Sequence, residues 1–193
     1  MGKKKKSFFK FMFKFLFTIV ILFAMAFGGV LLFKNFMCTQ VVISGGSMEN
    51  TLLDNQYGLV LKRKYANLKR GDVVVINHDN EWIIKRIVGM PNEVITFDLE
   101  NNICIDGEIL EEPYLYNNDK SATKTLDFNQ ESEFRLGANQ YFCLGDHREV
   151  SLDSRKLGPF SFSQIEGKLI AIYGVCNDNT CSSKQYFTPI FSF

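Results

Sequence analysis

Nineteen consecutive residues, Phe15 to Phe33, carry no charge. As a helix, a run of that length reaches across the ~30 Å hydrocarbon core of a bilayer. A chain holding such a run must place it in a membrane or bury it whole, and its flanks favour the membrane. Lys3, Lys4, Lys5, Lys6, Lys10 and Lys14 precede it, Lys34 follows, and residues 1–34 hold no acid. That bias of positive charge puts the N-terminal side in the cytoplasm. The competing reading is a cleaved signal peptide ending at Ala24-Met25-Ala26, which has the A-x-A form. The apolar run continues for seven residues past that site, so a retained single-pass anchor is the reading adopted. The expected organisation is a basic cytoplasmic tail (1–14), a transmembrane anchor (15–33) in the cytoplasmic membrane, and an extracytoplasmic domain (36–193), with the lipid bilayer as a standing partner.

Seven of the 22 basic residues and none of the 21 acidic ones lie before residue 35. The rest of the chain is therefore net acidic and carries no basic-aromatic stripe, which argues against nucleic acid as a partner. The cysteines are Cys38, Cys104, Cys143, Cys176 and Cys181. Their odd number leaves at least one unpaired. Cys176 and Cys181, close in sequence and outside the membrane, are a candidate bridge. Cys143, within Tyr141-Phe142-Cys143-Leu144, reads as a small core residue. With no CxxC and only His78 and His147, neither a metal site nor a cofactor is expected.

The domain reads as strands and turns. Val73 to Ile76 and Trp82 to Val88 flank the polar turn Asn77–Glu81, a hairpin signal. Further extended segments are Val94–Phe97, Ile103–Ile105, Tyr141–Leu144 and Leu169–Gly174. Asp106-Gly107 is a two-residue hairpin turn candidate. Residues 117–137 are polar and irregular, and 95–140 is a candidate small accessory lobe. The fold class expected is mostly β, antiparallel sheets behind one N-terminal transmembrane helix.

Lys85 stands inside the apolar segment Trp82-Ile83-Ile84-Lys85-Arg86-Ile87-Val88-Gly89. Burial between Ile83 and Ile87 disfavours the ammonium, and a buried neutral amine suits a general base. A nucleophile for it stands upstream: Ser47, in the loop-like Ser44-Gly45-Gly46-Ser47-Met48. A serine beside a buried lysine is a known alternative to the serine–histidine arrangement for acyl transfer. The glycines before Ser47 leave its backbone N–H open to a developing oxyanion.

Four segments fall in order: Gly45-Gly46-Ser47-Met48-Glu49-Asn50-Thr51-Leu52; Arg70-Gly71-Asp72-Val73-Val74-Val75; Ile84-Lys85-Arg86-Ile87-Val88-Gly89-Met90-Pro91; and Gly145-Asp146-His147-Arg148-Glu149-Val150-Ser151-Leu152-Asp153-Ser154-Arg155. Together, behind an N-terminal anchor, they resemble the boxes of the type I (leader) signal peptidases, bacterial membrane-bound serine–lysine proteases. The resemblance implies Ser47 as acyl-forming nucleophile and Lys85 as general base. It implies Ser151 in contact with that lysine, and supporting polar roles for Asp153, Arg155, Gly145, Asp146 and Arg148. Met48, Leu52, Ile83 and Ile84 would line small apolar pockets for alanine-like residues before the cut. The implied partners are exported preproteins, with the translocation machinery as an open candidate. Some relatives place a hydroxyl donor two residues before the nucleophile; Gly45 stands there, so backbone N–H groups are expected to form the oxyanion hole.

Three positions depart from the family pattern. Asn50 stands where proline is usual, His147 where asparagine is usual, and Asn92-Glu93 where Gly-Asp commonly follows the proline. The first and third look conservative in shape, since Asn tolerates turn backbones, and His147 reads as a bystander. Rival readings are a relative of the same dyad that processes a pilus or conjugation protein, and an inactive homologue that only binds preproteins. The second is disfavoured by the presence of both Ser47 and Lys85.

Overall fold

The computed structural model describes residues 2–118, 120, 133–177, 180–182 and 188–189. It divides into two compact units, Met1–Cys38 and Thr39–Phe193. The first is built on one helix, α1 (Gly2–Met37). The basic stretch expected as a tail before the anchor is the beginning of that same helix, since lysine sustains helix well and no Gly or Pro interrupts residues 3–27. Lys10–Leu31 is long and apolar enough to cross a membrane. Phe13, Leu16, Val20 and Phe23 along it are all exposed, as a helix that is apolar all round requires if lipid is to cover it.

The second unit is mostly β. Its larger sheet holds β1 (Cys38–Val42), β2 (Gln56–Lys62), β3 (Val73–His78), β4 (Glu81–Gly89), β9 (Gln140–Leu144), β10 (Phe160–Ser161) and β11 (Ile165–Asn177), in the spatial order β1-β2-β11-β3-β4-β9-β10. The short strands β12 (Thr180–Ser182) and β13 (Thr188–Pro189) also pair with β11. A second sheet has the order β7-β6-β5-β8, from β5 (Val94–Phe97), β6 (Ile103–Ile105), β7 (Glu108–Ile109) and β8 (Glu133–Arg135). Every pairing with a described register is antiparallel.

Strand β3 shows why an unbroken apolar run forms here. Side chains alternate between faces, and both faces are covered. Val73 and Val75 join one core cluster with Val41, Met48 and Leu169. Val74 and Ile76 join another with Ile87, Cys143 and Phe160. The β3–β4 hairpin turns at Asp79 and Asn80, with φ of 52° and 67°, and the β6–β7 hairpin at Asp106 and Gly107, with φ of 51° and 89°. Both are the left-handed pairs that two-residue hairpins need.

The region considered as an accessory lobe has its own hydrogen-bonded sheet but not its own core. Ile95, Ile103, Ile105 and Leu136 pack in one cluster with Val88, Phe142 and Leu144 of the larger sheet. Cys176 and Cys181 stand opposite each other in the β11–β12 register; their side chains lie outside the described residues, as does residue 119 together with 121–132 and 190–193.

Candidate active site

The loop between β1 and β2 carries Ser47. It leaves the strand through Gly45, at φ +87°, whose N–H donates to Asp54 Oδ1 at 2.8 Å. It then makes a helical turn, with Leu52 N–H donating to the Met48 carbonyl at 2.8 Å. Met48 and Leu52 are buried in the core beneath and hold the turn down. Lys85 comes from the middle of β4, opposite Val74 of β3. Ile83 and Ile87, two residues to either side, both pack in the second core cluster. Lys85 is itself only 4% exposed.

Lys85 Nζ lies 2.8 Å from Ser47 Oγ, in hydrogen-bond contact. Burial holds the amine below the ordinary lysine range; the Asp153 carboxylate opposes this and the Arg155 guanidinium reinforces it. Asp153 is answered before it can keep the lysine charged. Arg155 Nε donates to Asp153 Oδ1 and Nη2 to Oδ2, each at 2.8 Å, and Ser151 Oγ donates to Oδ2 at 2.6 Å. Gly145 N–H adds a fourth donor at 3.1 Å. A Cβ at Gly145 would sit 2.3 Å from Ser151 Oγ and 2.5 Å from the Ser47 carbonyl oxygen. Only glycine lets these segments approach so closely.

Two further buried arginine–carboxylate pairs brace this layer. Arg86 Nε and Nη2 donate to Asp146 at 2.8 and 2.6 Å, with Nη2 also reaching Thr51 Oγ1 at 2.8 Å. The guanidinium lies 4.2 Å from the centre of the Tyr114 ring. Arg148 pairs with Glu112, which also accepts from Tyr114 Oη at 2.9 Å; burial pushes the Tyr114 phenol up. Both side chains of each pair are 1% exposed. Buried charges persist only when paired in this way.

Beside the serine and lysine runs a groove of about 510 Å³, walled by residues 40–48 and 82–85 with Val75, Val150 and Leu152. Met48, Ile83 and Ile84 line it. Leu52 does not: it is fully buried in the core under the loop, so its part is packing. Ser47 N–H meets no acceptor among the described residues.

The structure brings Ser47, Lys85, Ser151, Asp153, Arg155 and Gly145 together and places Asp146 and Arg148 one layer out. It differs on two points. The hydroxyl of Ser151 is given to Asp153, and the hydrogen bond of Lys85 goes to Ser47. Asn50 adopts φ 86°, out of reach for proline, whose ring fixes φ near −65°. It is therefore not a conservative stand-in for proline, whereas Asn92, at φ 69°, does take a glycine-like backbone. Arg86, Thr51, Glu112 and Tyr114 were not anticipated. For Arg86 the signal was present as a second charge in an apolar strand; Glu112, in a Glu-Glu-Pro segment, looks like surface.

The chain matches the family model described as "Signal peptidase, peptidase S26" over residues 12–174. It belongs to that family. A "Signal peptidase I" of Bacillus amyloliquefaciens is 38% identical over 144 residues, covering 70% of this chain and 76% of its own. "Signal peptidase I S" of Bacillus subtilis is 37% identical over 144 residues, covering 71% and 77%. A solved signal peptidase I from Enterococcus faecalis overlaps 54% of this chain and 97% of its own, at 25% identity and TM-score 0.44, too loose an overlap to carry the fold by itself. Membership in the signal peptidase family makes the chain a serine endopeptidase, and the resemblance read from its four segments is borne out.

Proposed function

We propose that this signal peptidase family member removes N-terminal signal peptides from exported preproteins with Ser47 as nucleophile and Lys85 as its general base. The observation that carries the reading is the 2.8 Å contact between Lys85 Nζ and Ser47 Oγ at a lysine whose charged form burial disfavours. Neutral Lys85 takes the Ser47 proton as Oγ attacks the scissile carbonyl, then returns it to the leaving amine. The free Ser47 N–H faces the oxygen on which charge develops. Water then opens the acyl-enzyme with Lys85 again as base, and no cofactor takes part.

The supporting set divides by what it touches. Arg155 and Ser151 neutralise and aim the Asp153 carboxylate, keeping it from holding Lys85 protonated. The Arg86–Asp146 and Arg148–Glu112 pairs fix the loop that carries them. Met48, Ile83 and Ile84 favour small residues before the cut in a substrate that binds extended between the groove walls. The helix at residues 15–33 anchors the enzyme, with residues 1–14 in the cytoplasm and the domain outside. Enzyme and signal peptide then share one bilayer, which raises the effective concentration of the cleavage site.

The test is cleavage of a model preprotein by detergent-solubilised enzyme, with product ends read by mass spectrometry. Wild type cutting after an A-x-A site, with Ser47→Ala inert, is the expected result. A folded, inert wild type, or a Ser47→Ala protein that still cuts, overturns the reading.

A further inference from the structure

His147 makes contacts that a bystander does not need. Its side-chain Nδ1 lies 3.0 Å from Glu49 Oε2, while its backbone N–H, which any residue but proline would offer here, donates to the Ser47 carbonyl at 3.1 Å. Glu49 is two residues past the nucleophile, and its N–H donates to the Gly46 carbonyl at 3.0 Å. Its carboxylate closes over Gly46, where a Cβ would lie 3.2 Å from Glu49 Cδ. The imidazole stacks on Tyr116, centroids 4.1 Å apart and planes 22° apart. Tyr116 is itself tied to this loop, its N–H donating to the Asp146 carbonyl at 3.1 Å. The other charges beside the histidine are spoken for: Asp146 by Arg86 and Arg148 by Glu112.

We infer that His147 and Glu49 form a clasp that sets the position of Ser47, making His147 a positioning residue for the nucleophile. The clasp grips the loop on both sides of Ser47. On one side the His147 backbone N–H holds the carbonyl of Ser47 itself; on the other the imidazole holds the Glu49 side chain, which shields Gly46. A single half-buried surface contact of this kind contributes little to stability; the His147 and Glu49 side chains are 17% and 39% exposed. Alignment is another matter: Ser47 Oγ must keep both its 2.8 Å contact with Lys85 and its line of attack. A misplacement of about 1 Å costs on the order of 100-fold in rate. The clasp joins two segments about a hundred residues apart, and Tyr116 holds the imidazole plane so that Nδ1 faces the carboxylate.

The inference rests on the proposed Ser47–Lys85 chemistry and is tested so that the two fail separately. Steady-state cleavage of a signal-peptide-derived peptide is measured for wild type, His147→Leu, His147→Asn, Glu49→Leu and the His147→Leu/Glu49→Leu double variant, each checked by circular dichroism. His147→Leu and Glu49→Leu, which each remove a partner of the contact, are expected to lower kcat about 10-fold with KM within about 2-fold, the mark of a group felt mainly in the transition state. The double variant is expected to be no slower than either single one, because both remove one coupling. His147→Asn keeps a nitrogen donor at the δ position and is expected to restore most of kcat, which a merely space-filling role would not do. A kcat unchanged in both single variants, losses that add in the double, or His147→Asn as slow as His147→Leu overturns the inference. If His147→Leu fails to fold, Glu49→Leu decides it: a kcat unchanged from wild type overturns the inference. An inert wild type would instead strike the Ser47–Lys85 reading.

Discussion

Arg155 holds Asp153 through two parallel N–H···O bonds of 2.8 Å each, and that grip sets the charge felt by Lys85. Asp153 draws the lysine toward its protonated form and Arg155 pushes it away. The base acts when neutral, so activity rises with pH through the lysine's titration. Removing Arg155 should move that acid limb to higher pH, and Asp153→Asn should move it to lower pH. The pH profiles of kcat/KM for Arg155→Gln and Asp153→Asn check this; shifts in the same direction would contradict it.

Lys85 should cost the fold stability. Its folded-state titration lies below the unfolded one, so the unfolded chain binds more protons between the two and stability rises with pH across that window. At neutral pH, Lys85→Met should therefore be more stable than wild type by on the order of 1–3 kcal/mol and should lose the alkaline gain. Thermal melts from pH 7 to 10.5 read both effects.

At Asn50 the backbone φ of 86° and two side-chain donations, to the Tyr114 and Leu115 carbonyls at 3.1 and 3.3 Å, leave no room for the proline usual in relatives. Asn50→Pro should destabilise the domain by about 1–3 kcal/mol and slow cleavage. Melting temperature and kcat report the two.

Gly145→Ala places a methyl against Ser151 Oγ and the Ser47 carbonyl. One of these must shift, and the expected loss in kcat is on the order of 100-fold. Gly107→Ala, at a positive-φ turn with nothing within 4 Å, is the control that separates local strain from damage to the site.

Sequence reached the chemistry better than its supports. Ser47 and Lys85 stood out because each breaks a local rule, a serine in a glycine-rich loop and a charge in an apolar strand. The β3–β4 and β6–β7 hairpins were readable from their turn residues. Strand β2 carries no strand signal of its own: Gln56–Lys62 gains its identity by pairing with β11, a hundred residues on. The apolar pattern at Leu169–Gly174 marks only the middle of β11, whose ends carry Glu, Lys and Asn and are fixed by neighbours rather than by pattern. Glu112 and Tyr114 have no local signal at all, since their role exists only once Arg148 and Arg86 are folded onto them. The positive φ of Asn50 likewise comes from the loop's closure against Tyr114 and Leu115.

The most direct measurement is the rate at which a fluorophosphonate probe modifies the enzyme as pH is raised, with the adduct located by mass spectrometry. A single adduct on Ser47 is expected, its rate rising with pH to a midpoint below the ordinary lysine value of about 10.4, and falling to background in Lys85→Met. Modification elsewhere, or a Lys85→Met protein that reacts as fast as wild type, would contradict a serine activated by a neutral buried lysine.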